Sequence, residues 1–109
     1  MALLDRIARA DSLPSNEKVT GHRIENALVL YFHGKVTRTQ MIDIFGIPPA
    51  MEADFDQFKT KYDSFGSSAA QVDLKHQYVQ DVIACVTLLQ LGDITKTQFN
   101  TFTGLTLTT

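Results

Sequence analysis

The sequence reads GKVTRTQ at residues 34–40 and GDITKTQ at residues 92–98. A phrase that returns at a constant offset of 58 positions constrains this fold more than any other feature of the chain. Neither copy holds a residue that does chemistry alone, so the phrase describes architecture. Glycine is the residue that closes a helix most cheaply in the left-handed region, because it has no Cβ to clash at positive φ. A threonine followed three residues later by glutamine is a capping box, in which the hydroxyl takes the backbone N–H of the glutamine and the glutamine side chain reaches back. Each copy therefore predicts a helix stop at Gly34 or Gly92, a bend, and a helix start capped by Thr37 with Gln40 or by Thr95 with Gln98.

The match extends beyond the phrase. Ile24, Leu28, Leu30 and Tyr31 align with Val82, Val86, Leu88 and Leu89, and Met41, Ile44, Gly46 and Ile47 align with Phe99, Phe102, Gly104 and Leu105. In the first copy Ile24, Ala27, Leu28, Tyr31 and Phe32 fall on one helical stripe that Val29 and Leu30 widen. In the second, Val72, Val79, Val82, Ile83, Val86, Leu89 and Leu91 keep helical spacing up to Gly92. These positions favour a duplicated unit of long buried helix, Gly bend and short capped helix. Unrelated helical hairpins also converge on helix, glycine and threonine cap, which leaves convergence as the alternative. Between the units, Pro48 and Pro49 open a middle helix whose apolar edge is Met51, Phe55, Phe58 and Tyr62, and Gly66-Ser67-Ser68 stops it.

The fold class expected is all-α: a small helical bundle built from two similar helix–Gly bend–capped helix units in a single domain, residues 1–109. Residues 1–12 form an N-terminal arm, 20–65 the first unit with the middle helix, 69–105 the second unit and 106–109 a tail. The polar stretch DSLPSNEKVTG reads as a connector or a frayed helix start. In the arm, Leu3, Leu4 and Ile7 make one apolar edge. At the other end Leu105 and Leu107 alternate with threonines, which suits an extended or frayed segment, or one that adds to a partner's sheet edge. Two readings of these ends stand. They fold back on their own core, or they are partner-interface residues that bury themselves on a neighbouring subunit. The second is the expectation.

Charge and residue types narrow the function. Ten Lys and Arg against twelve Asp and Glu give a net charge of −2, without the positive field that holds a phosphate backbone. The segment TRTQMIDIFGIPPAMEADFDQFK, within residues 37–65, carries a helix-turn-helix pattern at Met41, Phe45, Gly46, Ile47 and Phe55, which makes a nucleic-acid-binding regulator the alternative function. Ile42 stands where that motif wants a small residue, and Glu52 where it wants an inward aliphatic. The reading helix would carry Glu52, Asp54, Asp56 and Asp63 against Lys59 and Lys61. His22 and Glu25 are one turn apart but lack a third ligand, His33 lies where an imidazole could serve helix-end carbonyls, and Cys85 sits among apolar residues as a small hydrophobe. A single cysteine implies no internal disulfide. No catalytic, cofactor-binding or metal residue is expected, and neither is a membrane span or an export signal, since Asp5 and Arg6 interrupt the first apolar stretch.

The stretch ALVLYFHGKVTRTQMIDIFGIPPAMEADFDQFKTKYD, followed by VIACVTLLQLGDITKTQFNTFTGL, resembles a pattern in small accessory virion proteins of tailed bacteriophages. There a helix ending in glycine, a T-R-x-Q phrase, a short helix ending in Leu or Ile, an acidic helix and a second helix entering a T-K phrase follow in this order. The resemblance spans most of the chain from residue 22 onward, and the sequence departs from the pattern in the polar connector before residue 20 and in the threonine-rich tail. It implies a noncatalytic structural or assembly protein of the virion, assembled in the host cytoplasm and placed at the head-tail junction, the tail or a fibre attachment. Its partners would be other virion proteins or further copies of itself as a homo-oligomer.

Overall fold

A computed structural model describes residues 2–9 and 24–109. Among these it contains six helices and no strand: α1 (Leu3–Ala8), α2 (Ile24–Phe32), α3 (Arg38–Phe45), α4 (Pro49–Asp63), α5 (Ala69–Leu91) and α6 (Lys96–Thr103). The all-α bundle expected from the periodicity is the architecture observed. The polar connector, the helix start from Thr20 and His22 lie outside the described residues.

Both Gly bends have the same hydrogen-bonded form. Gly34 and Gly92 have φ of 76° and 77°. After Gly34, Lys35 N–H donates to Leu30 O at 2.8 Å and Gly34 N–H to Tyr31 O at 3.1 Å. After Gly92, Asp93 N–H donates to Leu88 O at 2.9 Å and Gly92 N–H to Leu89 O at 3.1 Å. This paired arrangement satisfies the last carbonyls of α2 and α5 from the backbone alone. His33 is not needed for that task and instead stands exposed, edge-on to Tyr62 with 6.4 Å between ring centroids. Four residues on from Gly34 and Gly92 the new helices begin. Thr37 Oγ1 accepts from Gln40 N–H and Thr95 Oγ1 from Gln98 N–H, each at 3.1 Å, and both glutamine side chains accept the threonine N–H at 2.8 Å.

The two units differ elsewhere. Ile44 is 6% exposed whereas Phe102, at the matching position, is 53% exposed. The turn after α3 is closed by Ile47 N–H on Ile42 O at 3.0 Å. After α6 it is closed only by Gly104 N–H on Asn100 O, and Leu105 N–H turns to the Thr103 hydroxyl at 3.4 Å. The chain consequently enters α4 in one unit and an extended segment, 105–109, in the other.

The long helix α5 is the spine. Its buried side chains Tyr78, Val82, Cys85, Val86 and Leu89 form a continuous stripe against which α1, α2, α4 and α6 pack. Leu91 falls off this stripe and is exposed, because a position two residues on from Leu89 lies on roughly the opposite side of a helix. Tyr78 joins the stripe since its hydroxyl finds a buried acceptor, Phe58 O at 2.9 Å; without one, burying a phenol would be costly. Facing α5, Phe32 stacks on Tyr62 at 5.1 Å, Tyr31 on Phe55 at 5.3 Å, and Phe58 meets Phe99 edge-on at 6.3 Å. Helix α4 starts with Pro49 in its first turn, as the Pro pair predicts. Ser68, expected as part of a stop, is the N-cap of α5, its side chain accepting from Gln71 N–H.

Candidate interaction site

The arm expected to be free for a partner is part of this chain's own core. Leu3, Leu4 and Ile7 are 2%, 0% and 3% exposed. Leu3 and Ile7 close a gap lined by Ile24, Met41 and Phe55 among others, leaving about 10 Å³, space for a single water at most. A six-residue helix has no stability of its own, so α1 exists because the bundle holds it. Arg6 Nε donates to Phe45 O at 2.8 Å, Gln90 Nε2 donates to Ile7 O at 3.2 Å, and Lys96 Nζ pairs with Asp5 Oδ1 at 3.0 Å. The Lys96 ammonium, together with the Ala2 N–H on its other oxygen, holds the Asp5 carboxyl below the usual carboxylate range. The expectation of Leu3, Leu4 and Ile7 as a partner interface is thus corrected. Periodicity reports that an edge is apolar and leaves open which surface covers it.

Leu105 and Leu107 are likewise buried, at 6% and 3%, and the segment they belong to is not frayed. It lies extended between α4 and α6, in a seat built from side chains. Gln57 on α4 makes a two-way pair with Thr106: its Nε2 donates to Thr106 O at 3.3 Å and its Oε1 accepts Thr106 N–H at 3.0 Å. Asn100 on α6 does the same for Leu107, donating to its O at 2.8 Å and accepting its N–H at 3.0 Å. Asp54, one turn before Gln57, accepts Thr108 N–H at 2.9 Å, and Lys96 Nζ donates to Thr109 O at 3.1 Å. Along an extended chain successive backbone groups point to opposite sides. Residues 106 and 108 thus bond to α4 and residue 107 to α6, while Leu105 and Leu107 are buried. The amide side chains stand in for the neighbouring strands that a sheet would supply. Beside the seat, a shallow open groove of about 430 Å³ runs along α4 past Gln57, Thr60 and Lys61 to Gly104.

Sequence reasoning missed Asp54, Gln57 and Asn100. Asn100 carried a signal: asparagine in the middle of an eight-residue helix is disfavoured unless its side chain has another task.

A cation covers the end of each short helix. Arg6 serves the Phe45 carbonyl, and Lys61 Nζ donates to Gly104 O at 3.4 Å. Both lie over a glycine, where a Cβ would come within 2.7 Å of the Arg6 guanidinium at Gly46 and 2.5 Å of the Lys61 ammonium at Gly104. The missing side chains let positive charge approach the negative helix ends.

On the helix-turn-helix segment, Arg38 is engaged by α4 itself. Its Nε meets Asp56 Oδ1 at 2.7 Å and its Nη2 meets Glu52 Oε1 at 3.0 Å. Lys59 pairs with Asp63 at 3.2 Å. Burial, with Asp81 adding to it, pushes the Cys85 thiol up, away from the nucleophilic thiolate. Glu25 is buried, with one oxygen accepting from the Thr87 hydroxyl at 3.5 Å and the other unpartnered among the described residues. No group of three or more metal-ligating side chains occurs among the described residues, and no helix among them is long and apolar enough to cross a membrane. No protein-family model matches the chain, and no curated protein or solved structure matches it.

Proposed function

We propose that this chain is a noncatalytic assembly protein that works through protein–protein contacts, as a minor component of a tailed-phage virion. The observation that carries the reading is the seat between α4 and α6. Two amide side chains, each bonded both ways to one residue of an extended segment over a pair of buried leucines, are the chemistry of peptide recognition. The placement in a virion draws on the resemblance of residues 27–63 and 82–105 to accessory phage proteins. Exposed Leu91 and Phe102, at the C-terminal ends of α5 and α6, add apolar surface suited to docking. The nucleic-acid alternative is weakened by Arg38 and Lys59, whose charges are already matched by α4 carboxylates.

The test is size-exclusion chromatography with light scattering on the chain alone and mixed with purified head–tail junction, tail and fibre proteins. A stable complex with one of them, weakened by Phe102→Ser while the helical circular dichroism stays unchanged, is the expected result. A chain that elutes alone from every mixture overturns the virion assignment.

A further inference from the structure

We infer that the seat between α4 and α6 accepts segment 105–109 from a second copy of this chain, so that two copies exchange these segments and close a twofold dimer. This inference rests on the protein-contact reading above and names its partner. The bonds that hold residues 106–108 join side chains of α4 or α6 to the segment's backbone, and the Thr106 hydroxyl adds one more by donating to Gln57 Oε1 at 3.1 Å. None of them requires segment and seat to share a chain, and a second copy offers the same Leu-Thr-Leu-Thr to the same Gln57 and Asn100.

The joint between α6 and the segment is the weak point. Its two bonds to side chains, Leu105 N–H to the Thr103 hydroxyl and Lys61 to Gly104 O, are both 3.4 Å long, whereas Asn100 holds Leu107 at 2.8 and 3.0 Å. At both helix ends the glycine N–H bonds back into the helix, Gly104 to Asn100 O at 2.8 Å, but after α3 the backbone adds a second closure, Ile47 N–H to Ile42 O at 3.0 Å, that has no counterpart after α6. Gly104, at φ 72°, is thus a hinge with one backbone closure fewer than Gly46. Two residues before the hinge Phe102 is 53% exposed, where its counterpart Ile44 is covered. In an exchanged pair the twofold axis passes near the two hinges, since each segment starts one residue beyond its own Gly104, and this brings the two Phe102 side chains toward each other. Exchange is reciprocal, so both seats are refilled with the same bonds. The balance between closed monomer and exchanged dimer is then set by concentration, and closely spaced copies favour the dimer.

The experiment uses two full-length variants, Asp54→Cys and Thr108→Cys, each first shown to keep the helical spectrum and a cooperative melt. The Thr108 N–H meets the Asp54 carboxylate at 2.9 Å, which puts the two residues side by side, and the double variant Asp54→Cys/Thr108→Cys in one chain tests whether cysteines there cross-link. The two variants are unfolded and refolded together at rising concentration in a glutathione buffer and resolved on a nonreducing gel. Exchange predicts a mixed covalent dimer about tenfold more abundant than either like-with-like dimer. It also predicts the same excess over a control mixture in which Asn26→Cys, an exposed site on α2, replaces Asp54→Cys. The excess should vanish when Gln57→Ala and Asn100→Ala are added. A mixed dimer no more abundant than the control overturns the exchange, provided that Asp54→Cys/Thr108→Cys in one chain cross-links within that chain. A dimer seen by light scattering without the enriched cross-link also overturns it, since the copies then pair through another surface. In either case a chain that still binds a virion protein leaves the protein-contact reading standing.

Discussion

Gly34 and Gly92 allow the cost of a left-handed helix end to be measured twice in one molecule. A Cβ built at either would find nothing within 4 Å, and the two φ values differ by one degree, so replacement by alanine introduces backbone strain and no collision. Gly34→Ala and Gly92→Ala are each expected to cost about 1 kcal/mol in urea unfolding, the two values agreeing closely. At Tyr78 burial pushes the phenol well up. Below the ordinary tyrosine value of about 10 the group is neutral in both the folded and unfolded chain, so it adds no pH dependence there. Above that value the unfolded chain releases the proton and the folded chain does not, so stability falls as pH rises. Tyr78→Phe should flatten the alkaline limb of a pH–stability curve while costing roughly 1 kcal/mol at neutral pH through the bond lost to Phe58 O. The caps at Thr37, Gln40, Thr95 and Gln98 were legible in the sequence because donor and acceptor lie three residues apart. Gln57 and Asn100 were not, because their partners are backbone groups of a segment whose path only the assembled bundle determines.

Helices α2, α4 and α5 could be read from their apolar stripes, and Ile24, Leu28, Tyr31, Phe55, Phe58, Val82 and Val86 are buried as that reading requires. The arm could not be assigned in the same way. Its stripe was evident, but the surface that receives it is assembled by α4 and α5, far along the chain. The consequence for experiment is a reversal of the simple expectation for a detachable arm. Leu4, with no exposed surface, is expected to cost about 2–5 kcal/mol on replacement by alanine. Removal of residues 1–9 should abolish the cooperative thermal melt, which calorimetry would read directly. A truncated chain that melts as sharply as the full one would show that α1 contributes nothing to the core. The segment 105–109 was legible as extended from its alternation of Leu and Thr, but a frayed end and a seated one share that alternation, and only the amides of α4 and α6 separate them.

At the scale of the whole molecule the charge distribution argues against a duplex. Net charge is −2, and on the face of α4 that a helix-turn-helix would present, Glu52 and Asp56 have drawn Arg38 onto themselves. In low salt, fluorescence anisotropy with duplex DNA should reveal no more than weak nonspecific association. A complex lost on changing Lys59 and Lys61 would reverse the ranking of functions. The placement of α1 has a further effect, in time. Asp5 is bonded to a lysine 91 positions later and Ile7 to a glutamine 83 positions later. At roughly 5–20 residues per second of synthesis, the edge formed by Leu3, Leu4 and Ile7 leaves the ribosome several seconds before the helix that will cover it exists. The first helix made is therefore among the last to be placed, and during that interval it is an uncovered apolar surface within reach of chaperones and of neighbouring nascent chains.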